Sequence, residues 1–178
     1  INPKDLIIGD KNAILIATRV LGYGSDYTVK IDGKLHTIDI SELENKVFDK
    51  SLIEPGKNEF SFVLPHSNTP ITYKILNGHD ESKIERELKG LKKINKNSSP
   101  EASTRLKYTL TSVNGETETK DIRDFVDNYF LARDTRAFRE HLRNTQPDVD
   151  LSVVLDSGEE VLVPIGLSFF WPDLEDRS

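Results

Sequence analysis

The spacing of apolar residues switches between two periods along this chain, and the order of the switches restricts its fold more than any other feature. Over residues 10–21, Ala13, Ile14, Ala17, Val20 and Leu21 share a stripe at helical spacing, with Asp10 placed to cap it and Gly22 and Gly24 to end it. The period then drops to two. Tyr27, Val29 and Ile31 alternate with polar residues, Asp32-Gly33 is a hairpin turn signal, and Leu35 to Ile40 returns. Phe60, Phe62 and Leu64, then Ile71, Tyr73 and Ile75, predict a second strand pair across the turn-rich stretch from Pro65 to Pro70.

Helical spacing resumes over residues 79–96, with Asp80 as cap and Ile84, Leu88, Leu91 and Ile94 as the stripe. Ser99-Pro100-Glu101 opens a helix over roughly 100–112. Thr119 and Asp121 start a third, carrying Ile122, Phe125, Val126, Tyr129 and Phe130. Asp134 opens a fourth, with Ala137, Phe138 and Leu142, which Pro147 stops. Finally Leu151, Val153 and Leu155 alternate, Ser157-Gly158 turns, and Val161, Val163 and Ile165 return.

Strands therefore cluster with strands and helices with helices, and the links between strands are too short for crossovers. The expected class is α+β: antiparallel β-hairpins, then a four-helix segment, then a C-terminal hairpin with an aromatic tail. In chain order this gives residues 1–78 as an N-terminal helix plus β region, 79–146 as a helical region and 147–178 as hairpin and tail, forming one compact unit or two small subdomains. A chain of 178 residues has enough surface to bury for either arrangement.

Composition narrows the function. The net charge is −6, from 24 basic and 30 acidic residues, which argues against a general nucleic-acid binder. No apolar run approaches the ~18 residues of a membrane span, and no secretory pattern is present. Cysteine is absent, so disulfides and thiolate metal sites are excluded, in keeping with a reducing cytosol. Methionine is absent too, so Ile1 is not expected to be the encoded start.

Catalytic motifs are not found. His36, His66, His79 and His141 show no metal-binding or catalytic spacing and read as loop or surface residues. Gly22-Tyr23-Gly24 follows a helix and precedes a strand, the reverse of a dinucleotide loop, and reads as a helix end. The pairs Glu42/Glu44 and Glu159/Glu160 fall in turn-like segments and read as solvated surface rather than acid–base machinery. No nucleophile elbow appears. The chain is expected not to be an enzyme, and no cofactor or metal is expected.

Three features bear on partners. The helices from 79 to 107 hold eight basic residues, Lys89, Lys92 and Lys93 among them, against five acidic ones. They read either as a basic face for an acidic partner or as a solvated face laced with pairs such as Glu85–Lys89; mixed signs favour the second. Asp121, Asp124, Asp127, Arg123, Arg133, Arg136, Arg139 and Arg143 on the next two helices suggest a buried Arg–Asp network or, again, balanced surface charge. The chain closes on Phe169-Phe170-Trp171-Pro172, and such rings must dock. They either fold back onto their own core or anchor in a neighbouring subunit.

Several stretches together resemble the small baseplate-hub proteins of T4-like contractile-tailed phages. They are Ile16 to Gly24 before a Tyr-containing strand, Phe60 to Pro65, Ile71 to Leu76 before Asp80-Glu81, Ser112 to Gly115, Ile122 to Val126, and Phe169-Phe170-Trp171-Pro172. The resemblance runs from about residue 10 to 173, and its most specific parts are the Phe-Phe-Trp-Pro ending and the block from Leu64-Pro65 to Asp80-Glu81. It implies a non-enzymatic role in the virion, in the tail baseplate, assembled in the host cytoplasm. The implied partners are other hub, spike or tape-measure proteins, in an oligomeric assembly without nucleic acid or membrane. A transient chaperone of the tape-measure protein is the alternative it leaves open. Some relatives carry a cysteine pair in the hairpin at 151–165; here Asp156-Ser157-Gly158 holds the turn, so a metal-stabilised version is excluded.

Overall fold

The computed structural model describes residues 2–31, 33–47, 54, 56–94, 100–155, 158–165 and 169–170. The fold is α+β, as the alternating periods predict, and every paired strand is antiparallel. Its contacts group the chain into two units that interleave in sequence. The first comprises Ile1–Ile7 and Phe48–Gln146; the second comprises Ile8–Val47 and Pro147–Ser178. Only the 146/147 boundary coincides with the division made in chain order.

The second unit opens with α1 (Ile8–Tyr23), followed by the hairpin β1 (Asp26–Ile31) and β2 (Lys34–Asp39). Near the other end of the chain, β6 (Ser152–Val154) and β7 (Glu160–Leu162) form a second hairpin. One core holds these pieces together: Ile16, Tyr27, Val29, Ile38, Ile40, Val149, Val163 and Phe169 are all buried. Asn45 and Val149 bridge the two halves, with Lys46 N–H donating to the Asp148 carbonyl and Asp150 N–H to the Glu44 carbonyl, each at 2.8 Å.

The buried face of α1 is not the expected stripe. Gly9, Ile16 and Arg19 are buried, whereas Ile14 and Leu21 are exposed. Two contacts rotate the helix. Arg19 turns inward because its guanidinium donates to the carbonyls of Gly24, at 2.8 Å, and Asp26, at 3.0 Å, satisfying the backbone where the helix hands over to β1. At Gly9, a Cβ would lie 2.1 Å from the Pro147 carbonyl oxygen, so only glycine admits this approach. Asp10 sits inside the first turn rather than at the cap. Gly24, at φ +85°, ends the helix as expected.

The first unit holds β3 (Phe60–Val63), β4 (Pro70–Tyr73), α2 (Gly78–Ile94), α3 (Glu101–Thr109), β5 (Leu110–Val113), α4 (Thr119–Asp124) and α5 (Ala132–Thr145). Its core gathers Leu64, Ile71, Tyr73, Leu106, Leu110, Val113, Ile122 and Phe138. Here β5 corrects the sequence reading of one helix over 100–112. The helix stops at Thr109, and Leu110–Val113 becomes a third strand beside β4, with a register irregularity at Thr72/Tyr73. Local spacing favours a helix, but the β-branched Thr111 and Val113 fit a pleated strand, and β4 supplies the edge it pairs with.

Two expected caps are also reassigned. Asn77, not Asp80, caps α2: its side-chain oxygen accepts from His79 N–H at 3.0 Å and Asp80 N–H at 3.1 Å. Asp80 reaches back to Asn77 N–H at 3.4 Å, a reciprocal capping box, and takes Lys74 Nζ at 2.8 Å. Asp134 does not cap α5. It is fully buried, and its two carboxylate oxygens accept the backbone amides of His66, at 2.8 Å, and Ser67, at 3.0 Å. Burial pushes this carboxyl's pKa up, but the donors at His66 and Ser67 outweigh it and leave it below the ordinary value. Asp134 thereby ties the β3–β4 turn to α5.

Candidate functional site

The residues singled out for partners fall in different places. Phe169 has no exposed surface and packs edge-on against Tyr27 at 5.0 Å in the core of its own unit. Its ring therefore closes that core and is not available on a surface. Phe170 is half-buried and lies edge-on to Phe169 at 5.4 Å. Trp171 and Pro172 lie outside the described residues.

The first unit builds its surface by sorting charge across α2. Glu87 turns inward and receives a bidentate fork from Arg123, at 2.8 and 2.6 Å, together with the Tyr108 hydroxyl at 2.9 Å. The Arg123 guanidinium also stacks 5.6 Å from the Tyr108 ring centroid. The Arg123 bonds hold the Glu87 carboxyl below the usual carboxylate range, and Glu87 in turn raises Arg123. Glu81 receives a second fork from Arg105, at 2.7 and 3.0 Å, which raises Arg105. Bidentate Arg–carboxylate geometry of this kind fixes helix against helix.

These forks draw two acids of α2 away from solvent. Its exposed face is left with Lys83, Arg86, Lys89, Lys92 and Lys93 against Glu85. Lys89 meets Glu85 at 3.8 Å, the expected i, i+4 pair, with both side chains more than two-thirds exposed, so it contributes little. The face is thus basic in excess, with Glu85–Lys89 its ion pair among the described residues. Sequence spacing alone does not separate the inward Glu81 and Glu87 from the outward Glu85; the partners on α3 and α4 do.

A similar pattern recurs on α5. Arg133, Arg136, Arg139 and Arg143 are all exposed, and none of them forms an ion pair among the described residues. They stand at i, i+3, i+6 and i+10, the spacing of Lys83, Arg86, Lys89 and Lys93 on α2. Each set spans about 15 Å of helix. The expected Arg–Asp network between α4 and α5 is not formed: Arg123 goes to Glu87, and Asp127 pairs with Lys107 at 2.7 Å. The reason is position, since α2 and α3 present the nearer partners.

The histidines divide. His141 is stacked 4.3 Å from Phe62 and hydrogen-bonded to the Tyr73 hydroxyl at 2.8 Å; burial lowers its pKa. It belongs to the core margin of the first unit and not to the surface, where the sequence reading put it. His79 pairs with Asp5 at 2.9 Å on the surface. Among the described residues no group of three or more His, Asp or Glu is arranged to hold a metal ion. No helix among them is long and apolar enough to cross a membrane.

The charge sorting extends to the units. The first carries 18 basic and 16 acidic residues, a net of +2; the second carries 6 and 14, a net of −8. Comparison of the chain with family models, curated proteins and solved structures returns no match.

Proposed function

We propose that this chain is a non-enzymatic structural subunit that works by protein–protein contact, and that its setting is the baseplate hub of a contractile phage tail. The setting comes from the sequence resemblance. The contact role is supported by one observation above the rest: the outer faces of α2 and α5 each carry four basic residues at the same spacing, while Glu81 and Glu87 of α2 are turned inward and Glu85 alone of its glutamates stays on the exposed face. Two parallel-spaced basic rows suit acidic surfaces of neighbouring subunits, and rim charges of this kind govern association rate and partner choice. With one net-positive and one strongly negative unit, the chain is suited to contact two partners of opposite character.

A transient assembly chaperone of the tape-measure protein is the second reading, favoured by the α2 face, which suits an acidic coiled segment. Quantitative mass spectrometry of purified virions separates the two. Stoichiometric copies support the structural subunit, and presence in tail intermediates but not in virions supports the chaperone. Absence from both sinks the phage reading. Arg136→Glu with Arg139→Glu should then reduce incorporation while leaving thermal stability nearly unchanged, because both side chains are exposed and form no ion pair among the described residues.

A further inference from the structure

The second unit contains an open groove of about 690 Å³ between its two hairpins. Among the described residues β2 pairs with β1 and β6 with β7, and no ladder joins the outer edge of β2 or that of β6. Both of those edges line the groove. The chain segments at Asn45 and Val149 are bridged, and beyond that bridge β2 and β6 run unpaired with each other.

The ladder parity shows which backbone groups are left over. Ile40 N–H bonds to the Ser25 carbonyl, so Ile38 and His36 also face β1, while Leu35, Thr37 and Asp39 direct their amides and carbonyls to the open edge. Val163 N–H bonds to the Leu151 carbonyl and Leu155 N–H to the Glu159 carbonyl, so Ser152 and Val154 point outward from β6. Ser152 N–H is taken by the Asp150 carboxylate at 3.0 Å; its carbonyl and both groups of Val154 have no such partner among the described residues. An open edge is a template for another strand unless something blocks it.

The lining states what the strand should carry. Asp39, Glu42, Glu44 and Asp150 border the groove, and among the described residues no Lys or Arg does. Hydrogen bonds from Ser41 hold the Asp39 carboxyl low, and those from Ser152 do the same for Asp150, so both stay ionised at neutral pH. Leu35 and Val154 are 70% and 71% exposed beside them.

We propose that this groove accepts an extended segment of a partner protein as an added β-strand, with basic residues alternating with apolar ones. Its backbone pairs with the open edges of β2 and β6, its basic side chains meet the four carboxylates, and its apolar ones cover Leu35 and Val154. The free edges limit the paired stretch to about three to five residues, roughly 10–17 Å of strand. The acidic border disfavours nucleic acid and favours a cationic peptide. This inference needs only the geometry of the second unit and stands apart from the phage reading.

The test uses the full chain and three probes: a seven-residue peptide alternating Lys and Val, its Glu/Val counterpart, and the Lys/Val peptide N-methylated on alternate residues. Fluorescence anisotropy gives affinity, and amide chemical shifts give the site. The expected result is binding of the Lys/Val peptide, weakening with salt, with shifts confined to residues 35–39 and 152–155. The Glu/Val and N-methylated peptides should bind at least about tenfold more weakly, and so should the Lys/Val peptide to Glu42→Lys/Glu44→Lys, whose exposed side chains can change without disturbing the core. Four results would overturn the proposal: no binding, binding indifferent to N-methylation, shifts elsewhere, or a concentration-dependent dimer that already protects the edge amides and excludes the peptide. The last would make a second copy the occupant.

Discussion

Removing the Asp134 carboxylate should unlock the β3–β4 turn from α5, because two backbone amides depend on it. Both His66 N–H and Ser67 N–H donate to it, at 2.8 and 3.0 Å, in a site with no exposed side-chain surface. Hydrogen bonds to a charged acceptor contribute about 1.5–3 kcal/mol each, and a buried donor left unpaired loses its hydration as well. The two bonds share one carboxylate and are not additive, so Asp134→Ala is expected to cost about 3–5 kcal/mol. Asp134→Asn keeps one acceptor but turns an NH₂ toward the other amide, and is expected to cost about 2–3 kcal/mol. Against a typical total of about 5–15 kcal/mol these are large losses.

Urea unfolding followed by far-UV circular dichroism reads this best, since the one Trp is at position 171, outside the stretches that form the first unit. The transition midpoint should fall at unchanged slope. Hydrogen exchange should show His66 and Ser67 losing protection first. The folded pKa of Asp134 lies below its ordinary 3.8, so its contribution is fully present above that value and disappears as pH falls through the folded pKa. The gap between the native chain and Asp134→Asn should therefore hold from pH 7 to about 5 and narrow below about 4. A loss under about 1 kcal/mol for the Ala variant, or a gap unchanged in strong acid, would refute the reasoning.

Three further outcomes follow from the packing. Gly9→Ala should destabilise the second unit by about 1–3 kcal/mol, since the new methyl meets the Pro147 carbonyl at 2.1 Å; calorimetry showing an unchanged or raised Tm would contradict this close approach. Phe169→Ala should cost about 3–5 kcal/mol, measured by chemical denaturation, and a near-neutral result would mean the ring is not core. His141 has a depressed folded pKa, so the unfolded chain takes up its proton first: stability should fall as pH drops below about 6.5, and His141→Gln should flatten that slope. Identical pH profiles for the two proteins would exclude His141 as the cause.

The candidate surfaces were partly legible beforehand. The basic character of α2 and its Glu85–Lys89 pair are local properties of a helix, and spacing finds them. That Glu81 and Glu87 leave the surface is not local, because Arg105 and Arg123 lie 24 and 36 residues away along the chain. The groove was invisible for the same reason. Its walls, β2 and β6, are separated by more than a hundred residues, and only an unpaired edge, which is a property of the neighbours, makes either of them a binding surface.

The sequence by itself determined the α+β class, the three hairpins, the glycine end of α1 and the absence of thiol chemistry. Each follows from interactions within a few residues: the side-chain period, the turn residues and the composition. Tertiary structure decided the rest. It turned Leu110–Val113 from helix to strand, rotated α1 onto Gly9 and Arg19, buried Asp134 and joined residues between Ile16 and Ile40 with Val149, Val163 and Phe169 in one core. In each case the local preference is weak, while the distant partner supplies a strand edge, a carbonyl or an amide that must be satisfied, and burial makes that requirement the larger energy.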